Sequence, residues 1–190
     1  MEKETILSVL KRWNLWENDI DTGITRKKYL QEIYPCLERK EVLVLKGIRR
    51  SGKSTIMQQL MKELIKKDNV SKKQLLYLNL EDHNFAQSLT IELFDDVLKA
   101  YHDHTKNKKK VYFFIDEIQK IPEWERWIRT KYDLKENIKF VVSGSSASLL
   151  SKELSTLLTG RNLSFVIRPL SFNEVLTFDK KISLQEYLQF

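Results

Sequence analysis

Apolar residues recur with two different periods along this chain, and the exchange between those periods is its main structural signal. Ile6, Leu7, Val9, Leu10 and Trp13 fall at helical spacing, so residues 4–13 read as an amphipathic helix. "NLWENDIDTGITR" breaks that stripe. "RKKYLQEIYPCLE" (26–38) reads as a second helix, interrupted near Pro35, whose ring removes a helical hydrogen bond. "EVLVLK" is a short apolar, β-branched run bounded by charge, the mark of a strand buried on both faces. From Ser54 to Lys67 the helical period returns, with Ile56, Leu60 and Leu64 on one stripe and Met57, Met61 and Ile65 beside it.

The same exchange then repeats. "QLLYLNL" (74–80) reads as a strand, and Ser88 to Tyr101 as a helix striped with Leu89, Leu93, Phe94, Val97, Leu98 and Tyr101. "VYFFIDE" is a third strand. "IPEWERWIRTKYD" predicts a helix with Pro122 in its first turn and acidic residues after it. "IKFVVSG" is a fourth strand and "LSFVIRPL" a fifth. Strands alternating with helices predict an α/β fold, a parallel sheet covered on both faces.

Composition narrows this reading. A length of 190 residues suits one domain with at most a small appendage, and 42% apolar residues support a sizeable core. The net charge of +7 points to acidic partners, either a nucleotide, a nucleic acid or another anionic surface. Part of that charge sits in "KNKKK" (106–110), which reads as a solvated loop. The single cysteine, Cys36, excludes a disulfide within the chain and fits a reducing cytoplasm. No histidine stands near it, so its role reads as structural. No apolar run is long enough to span a bilayer, and the first residues do not form a signal peptide. His83, His102 and His104 lack zinc spacing. Trp124 and Trp127 read as core anchors.

The candidate chemistry is concentrated at strand ends. Gly47-Ile48-Arg49-Arg50-Ser51-Gly52-Lys53-Ser54 fits G-x-x-x-x-G-K-[ST] in full, between a predicted strand and a predicted helix. Such a loop wraps phosphates with its backbone N–H groups, and glycines permit the close approach. The following helix aims its positive end at the same anion. Lys53 is the expected charge for the β- and γ-phosphates, and Ser54 the expected hydroxyl for Mg²⁺, with Thr55 extending the helix start. Arg49 and Arg50 occupy variable positions of this nucleotide-binding loop, and their side chains read as solvated or partner-facing, against a contact with the nucleotide. Asp116 lies at the carboxyl tip of a buried strand, where it can hold Mg²⁺ through water. Glu117 follows and can polarise an attacking water. The fourth strand ends in Ser143-Gly144-Ser145-Ser146. If that strand lies between the loop strand and the Asp-Glu strand, its tip faces the γ-phosphate. Ser145 is then the preferred sensor and Ser143 the second choice, against a plain serine turn. Arg161, in "LLTGRNLSF", is a candidate arginine finger, acting on its own nucleotide or a neighbour's, against a plain surface arginine.

These features separate phosphate-loop classes. A GTPase would show [NT]-K-x-D and D-x-x-G, but "NKKK" lacks the aspartate and "DEIQ" the glycine. A small-molecule kinase needs no water activator beside Asp116 and would carry an arginine-rich lid. Hydrolysis of ATP is therefore expected. The alternatives are a nucleotide-binding interaction or DNA-associated switch module with little hydrolysis, and a small-molecule kinase.

"GIRRSGKST", "FFIDEIQKIPEWERWIRTKYD", "VVSGSSASLL" and "LTGRNLSFVIRPLSFNEVL" resemble the ATPase module of prokaryotic AAA-superfamily proteins that carry an uncharacterised C-terminal domain. The resemblance covers roughly residues 40–176. It implies a three-layer P-loop NTPase fold with strand order 5-1-4-3-2, and ATP as the nucleotide. It also implies Lys53 and Ser54 as phosphate and magnesium groups, Asp116 and Glu117 as the Asp-Glu pair, and Arg161 as the "GR" arginine. The expected organisation is an N-terminal helical segment packed on the core (1–38), the ATPase core (39–176) and the start of a truncated or absent C-terminal region (177–190). A homo-oligomer, and a nucleic-acid or protein partner on the basic surface, are further expectations. A membrane partner is not expected.

Overall fold

The computed structural model describes residues 1–145 and 158–177. Strands β1 (Val42–Lys46), β2 (Leu75–Asn79), β3 (Val111–Asp116), β4 (Ile138–Gly144) and β5 (Asn162–Val166) form one sheet in the order β2-β3-β4-β1-β5. Every neighbouring pair is parallel. This is the expected order read from the opposite edge.

Among the described residues the α-helices are α1 (Lys3–Trp13), α2 (Lys27–Ile33), α3 (Lys53–Asp68), α4 (Glu92–Thr105), α5 (Trp124–Asp133) and the one-turn α6 (Phe172–Val175). Alternate side chains of each strand point to opposite faces, so two cores form. Leu43, Leu45, Tyr77, Phe114 and Val141 pack beneath α2 and α3. Val44, Leu78, Phe113, Ile115 and Val142 pack beneath α1, α4 and α5, with Trp124 and Trp127 buried as anchors. The result is a three-layer sandwich.

The segment before β1 closes an edge of the sheet. β2 is an edge strand, and an unpaired edge exposes hydrogen-bonding groups. The Asn14 side chain supplies a partner. Its Oδ1 accepts from the Tyr77 N–H at 2.7 Å, and its Nδ2 donates to the Tyr77 carbonyl at 2.9 Å. Trp16 Nε1 donates to the Leu75 carbonyl at 2.8 Å.

Three boundaries differ from expectation. The helix expected over 88–101 spans Glu92–Thr105, because a 3₁₀ turn at His83–Phe85, capped by Asp82, holds the preceding residues out of register. Pro122 precedes α5 instead of lying in its first turn, because Glu123 enters the helix in a left-handed conformation at φ 58°. β5 stops at Val166 rather than continuing through "IRPL". Ile167 N–H still donates to the Lys46 carbonyl at 2.6 Å, but Pro169 has no N–H to offer. Residues 146–157, which include Ser146 and the end of "VVSGSSASLL", and residues 178–190 lie outside the described residues.

Candidate functional site

The phosphate-type loop joins the carboxyl end of β1 to the start of α3. Gly47 is required by contact: a Cβ there would stand 2.3 Å from the Ile167 carbonyl oxygen and 2.5 Å from Ser51 Oγ. Gly52 is required by conformation, at φ 89° immediately before α3. Ile48, Arg49 and Arg50 are exposed on the outer side. Thr55 lies in the first turn of α3 and borders a cleft of about 380 Å³, together with Gly23, Ile24, Arg50, Gly52 and Leu170. Ser51 Oγ is buried and has no hydrogen-bond partner among the described residues. An orphaned buried hydroxyl calls for a ligand or water.

Lys53 is 4% exposed although it carries a charge. Its Nζ donates to the Gly47 and Ile48 carbonyls, at 3.2 Å each, and lies 3.4 Å from Glu117 Oε1. The ammonium therefore sits between the loop and the tip of β3.

At that tip Asp116 is buried. Its Oδ2 accepts from the Tyr77 hydroxyl at 2.7 Å and its Oδ1 from the Ser143 hydroxyl. The Tyr77 phenol also meets the Ser54 hydroxyl. Burial first, and the Asp116 charge second, hold Tyr77 well above the usual phenol range, so it is a donor. Glu117 adopts a left-handed backbone at φ 55°. Its N–H donates to Ser143 Oγ at 3.2 Å, and its Oε2 accepts from Gln119 Nε2 at 2.5 Å. Gln119 Oε1 is buried without a partner among the described residues.

The structure thus brings Lys53, Ser54, Asp116 and Glu117 together at the carboxyl edge of the sheet. Ser145 follows the end of β4 and is half-buried. The register Lys46↔Gly144 places it alongside Gly47. Arg161 is not brought to this edge. Val42 N–H donates to its carbonyl at 2.8 Å, which fixes it at the amino end of β1. Its guanidinium lies 3.3 Å from Asp133 and over the Tyr132 ring. Tyr77, Gln119 and the bridging use of Ser143 were not read from the sequence. A tyrosine inside an aliphatic strand was the available signal, since a buried phenol needs a partner.

A parallel sheet of this order, with a phosphate-type loop feeding α3 and an acidic pair on β3, defines the P-loop NTPase class. The chain belongs to the AAA domain family, whose model matches residues 39–176. An uncharacterised protein of Haemophilus influenzae is 33% identical over 153 residues, covering 80% of this chain and 37% of that protein. Two uncharacterised proteins of Methanocaldococcus jannaschii are also similar. One is 36% identical over 138 residues, covering 73% of this chain and 29% of its own length. The other is 28% identical over 184 residues, covering 95% and 37%. The chain spans about a third of the length of these relatives. Among the described residues no helix is long and apolar enough to cross a membrane.

Proposed function

We propose that this module binds ATP with Mg²⁺ and hydrolyses it by attack of water on the γ-phosphate. The observation that carries the reading is the placement of the Lys53 ammonium 3.4 Å from the Glu117 carboxylate, beside the buried Asp116. The backbone of residues 47–52 wraps the phosphates, and Lys53 exchanges its loop carbonyls for phosphate oxygens. Thr55 and the adjoining cleft lie where the rest of the nucleotide extends. Glu117 orients the lytic water and takes its proton, and the unpaired Gln119 carbonyl beside it is a second acceptor for that water.

The oxygen donors suit Mg²⁺. Among the described residues no three His, Cys, Asp or Glu side chains are grouped around a common point. Mg²⁺ bound with a nucleotide needs only one or two protein oxygens, the phosphates and water completing its shell. Asp116 and Ser54 are such a pair, both bonded to the Tyr77 phenol. When bound, Mg²⁺ supplies neutralisation of charge on the phosphate oxygens. Ser145 is the proposed γ-phosphate sensor. Arg161, at the far end of the sheet, is proposed to act on the nucleotide of a second copy of the chain.

Glu117→Gln is the test. It should retain MgATP binding and lose turnover by roughly 100-fold or more. Wild-type turnover in that variant overturns the assignment.

A further inference from the structure

Arg26 precedes α2, far in sequence from the phosphate loop, and is 5% exposed. A guanidinium has five N–H donors, and here all five have acceptors. Nε donates to Glu174 Oε1 at 2.8 Å. One terminal nitrogen donates to the Ser51 and Arg168 carbonyls, both at 2.8 Å. The other donates to Glu174 Oε2 at 3.0 Å and to the Pro169 carbonyl at 3.4 Å. The Tyr29 ring lies 4.5 Å beneath it. Its own N–H is fixed as well, donating at 3.1 Å to Oε1 of Gln59 on α3. With every donor engaged, Arg26 has none left for a ligand. What it does is join three separate segments: the chain before α2, the loop, and residues 168–174.

The contact with Ser51 has a chemical consequence for the loop. In a planar trans peptide the C=O and N–H point in opposite directions. A guanidinium holding the Ser51 carbonyl therefore turns the Gly52 N–H away from itself. A charge-assisted bond to the carbonyl also polarises the same amide and strengthens its N–H as a donor. Gly52 sits at the head of α3, where an anion would be met.

We propose that Arg26 is a positioning residue for the phosphate loop and couples triphosphate binding to the docking of residues 168–174. This rests on the reading of residues 47–55 as a phosphate cradle. Glu174, held bidentately by Arg26 and bonded to the Ser171 N–H at 2.9 Å, is the anchor of the docked segment. By linkage, whatever undocks that segment loosens the loop, and triphosphate in the loop tightens the docking by the same factor.

The experiment titrates inorganic tripolyphosphate with Mg²⁺ into the wild-type chain, Arg26→Ala and Glu174→Gln by calorimetry, with folding checked by circular dichroism. Tripolyphosphate probes the loop without a base or ribose. Arg26→Ala should bind about tenfold or more weakly. Millimolar ethylguanidinium should restore the affinity, and ethylammonium should not, because only a planar fork reaches these acceptors. Glu174→Gln should show a smaller loss of the same kind. Wild-type affinity in either folded variant overturns the proposal. If Arg26→Ala does not fold, Glu174→Gln alone decides. If the wild-type chain does not bind tripolyphosphate, the cradle reading falls and the proposal falls with it.

Discussion

The phenol of Tyr77 on β2 donates to the carboxylate of Asp116 on β3 at 2.7 Å. The bond is made possible by register. Tyr77 pairs with Phe114, so its side chain shares a face with Asp116 two residues on. Tyr77→Phe keeps the ring and removes the hydroxyl, leaving Asp116 with the Ser143 bond alone. Loss of a hydrogen bond to a buried charged group should cost about 1.5–3 kcal/mol, read by urea unfolding. The Mg²⁺ dependence of nucleotide binding should move to higher metal concentration. A variant as stable as the wild type would show that this bond contributes nothing.

Ser143 governs the neighbouring residue. Its hydroxyl donates to Asp116 and accepts the N–H of Glu117, which stands in a left-handed conformation costing on the order of 1–2 kcal/mol. Ser143→Ala frees that N–H and lets the Glu117 carboxylate drift. Turnover should fall by about 10–100-fold with a much smaller change in nucleotide affinity. Steady-state kinetics beside a binding titration separates the two. An equal loss in both would place Ser143 in nucleotide binding instead.

The parts of the site that were legible are those made by consecutive residues. The loop needs its glycines, lysine and serine in one stretch, and Asp116-Glu117 announces itself as charge at the tip of an apolar run. Tyr77 and the bridging role of Ser143 were hidden because both reach Asp116 through strand register, which no local pattern encodes. Arg26 was hidden for a different reason. Three of its acceptors are backbone carbonyls, at Ser51, Arg168 and Pro169, and carbonyls leave no mark in a sequence. Arg161 was visible as a residue, but its edge of the sheet was not. Its place follows from the parallel pairing of β5 with β1.

Lys139 shows the same blindness within the fold. It is the second residue of a strand read as apolar, is 2% exposed, and donates to the Cys36, Arg39 and Glu41 carbonyls at 2.9, 2.7 and 2.6 Å. It thereby ties the turn before β1 to β4. Burial pushes its pKa down to about 8, with nearby Lys110 adding to the fall and Glu41 and Glu38 opposing it. An unfolded lysine titrates near 10.5, so between about pH 8 and 10 the unfolded chain binds more protons and stability rises with pH. Above pH 10 the trend reverses, because burial pushes Tyr101 up to about 12 and the unfolded phenols ionise first. Urea unfolding from pH 7 to 11 should show this maximum. Lys139→Met should lose the rising limb and keep the falling one, at lower overall stability because three carbonyls lose their donor. A rising limb that survives in the variant would assign it to another group.

Arg161 and the phosphate loop lie at opposite ends of one strand pair. The register runs Val42↔Asn162 to Lys46↔Val166, so the five residues of β1 separate them by about 16 Å. Reaching its own loop would require dismantling β5, so a catalytic Arg161 must serve a neighbouring copy through a head-to-tail contact. Its ion pair with Asp133 must then open as the copies dock. Glu117→Gln and Arg161→Ala chains should each be inactive alone. Mixed in equal amounts, they should recover about a quarter of wild-type turnover, because about one contact in four joins an intact Glu117 to an intact Arg161. Full activity of Arg161→Ala alone would return this residue to the surface. A mixture with no recovery, from two inactive variants, would exclude action across copies.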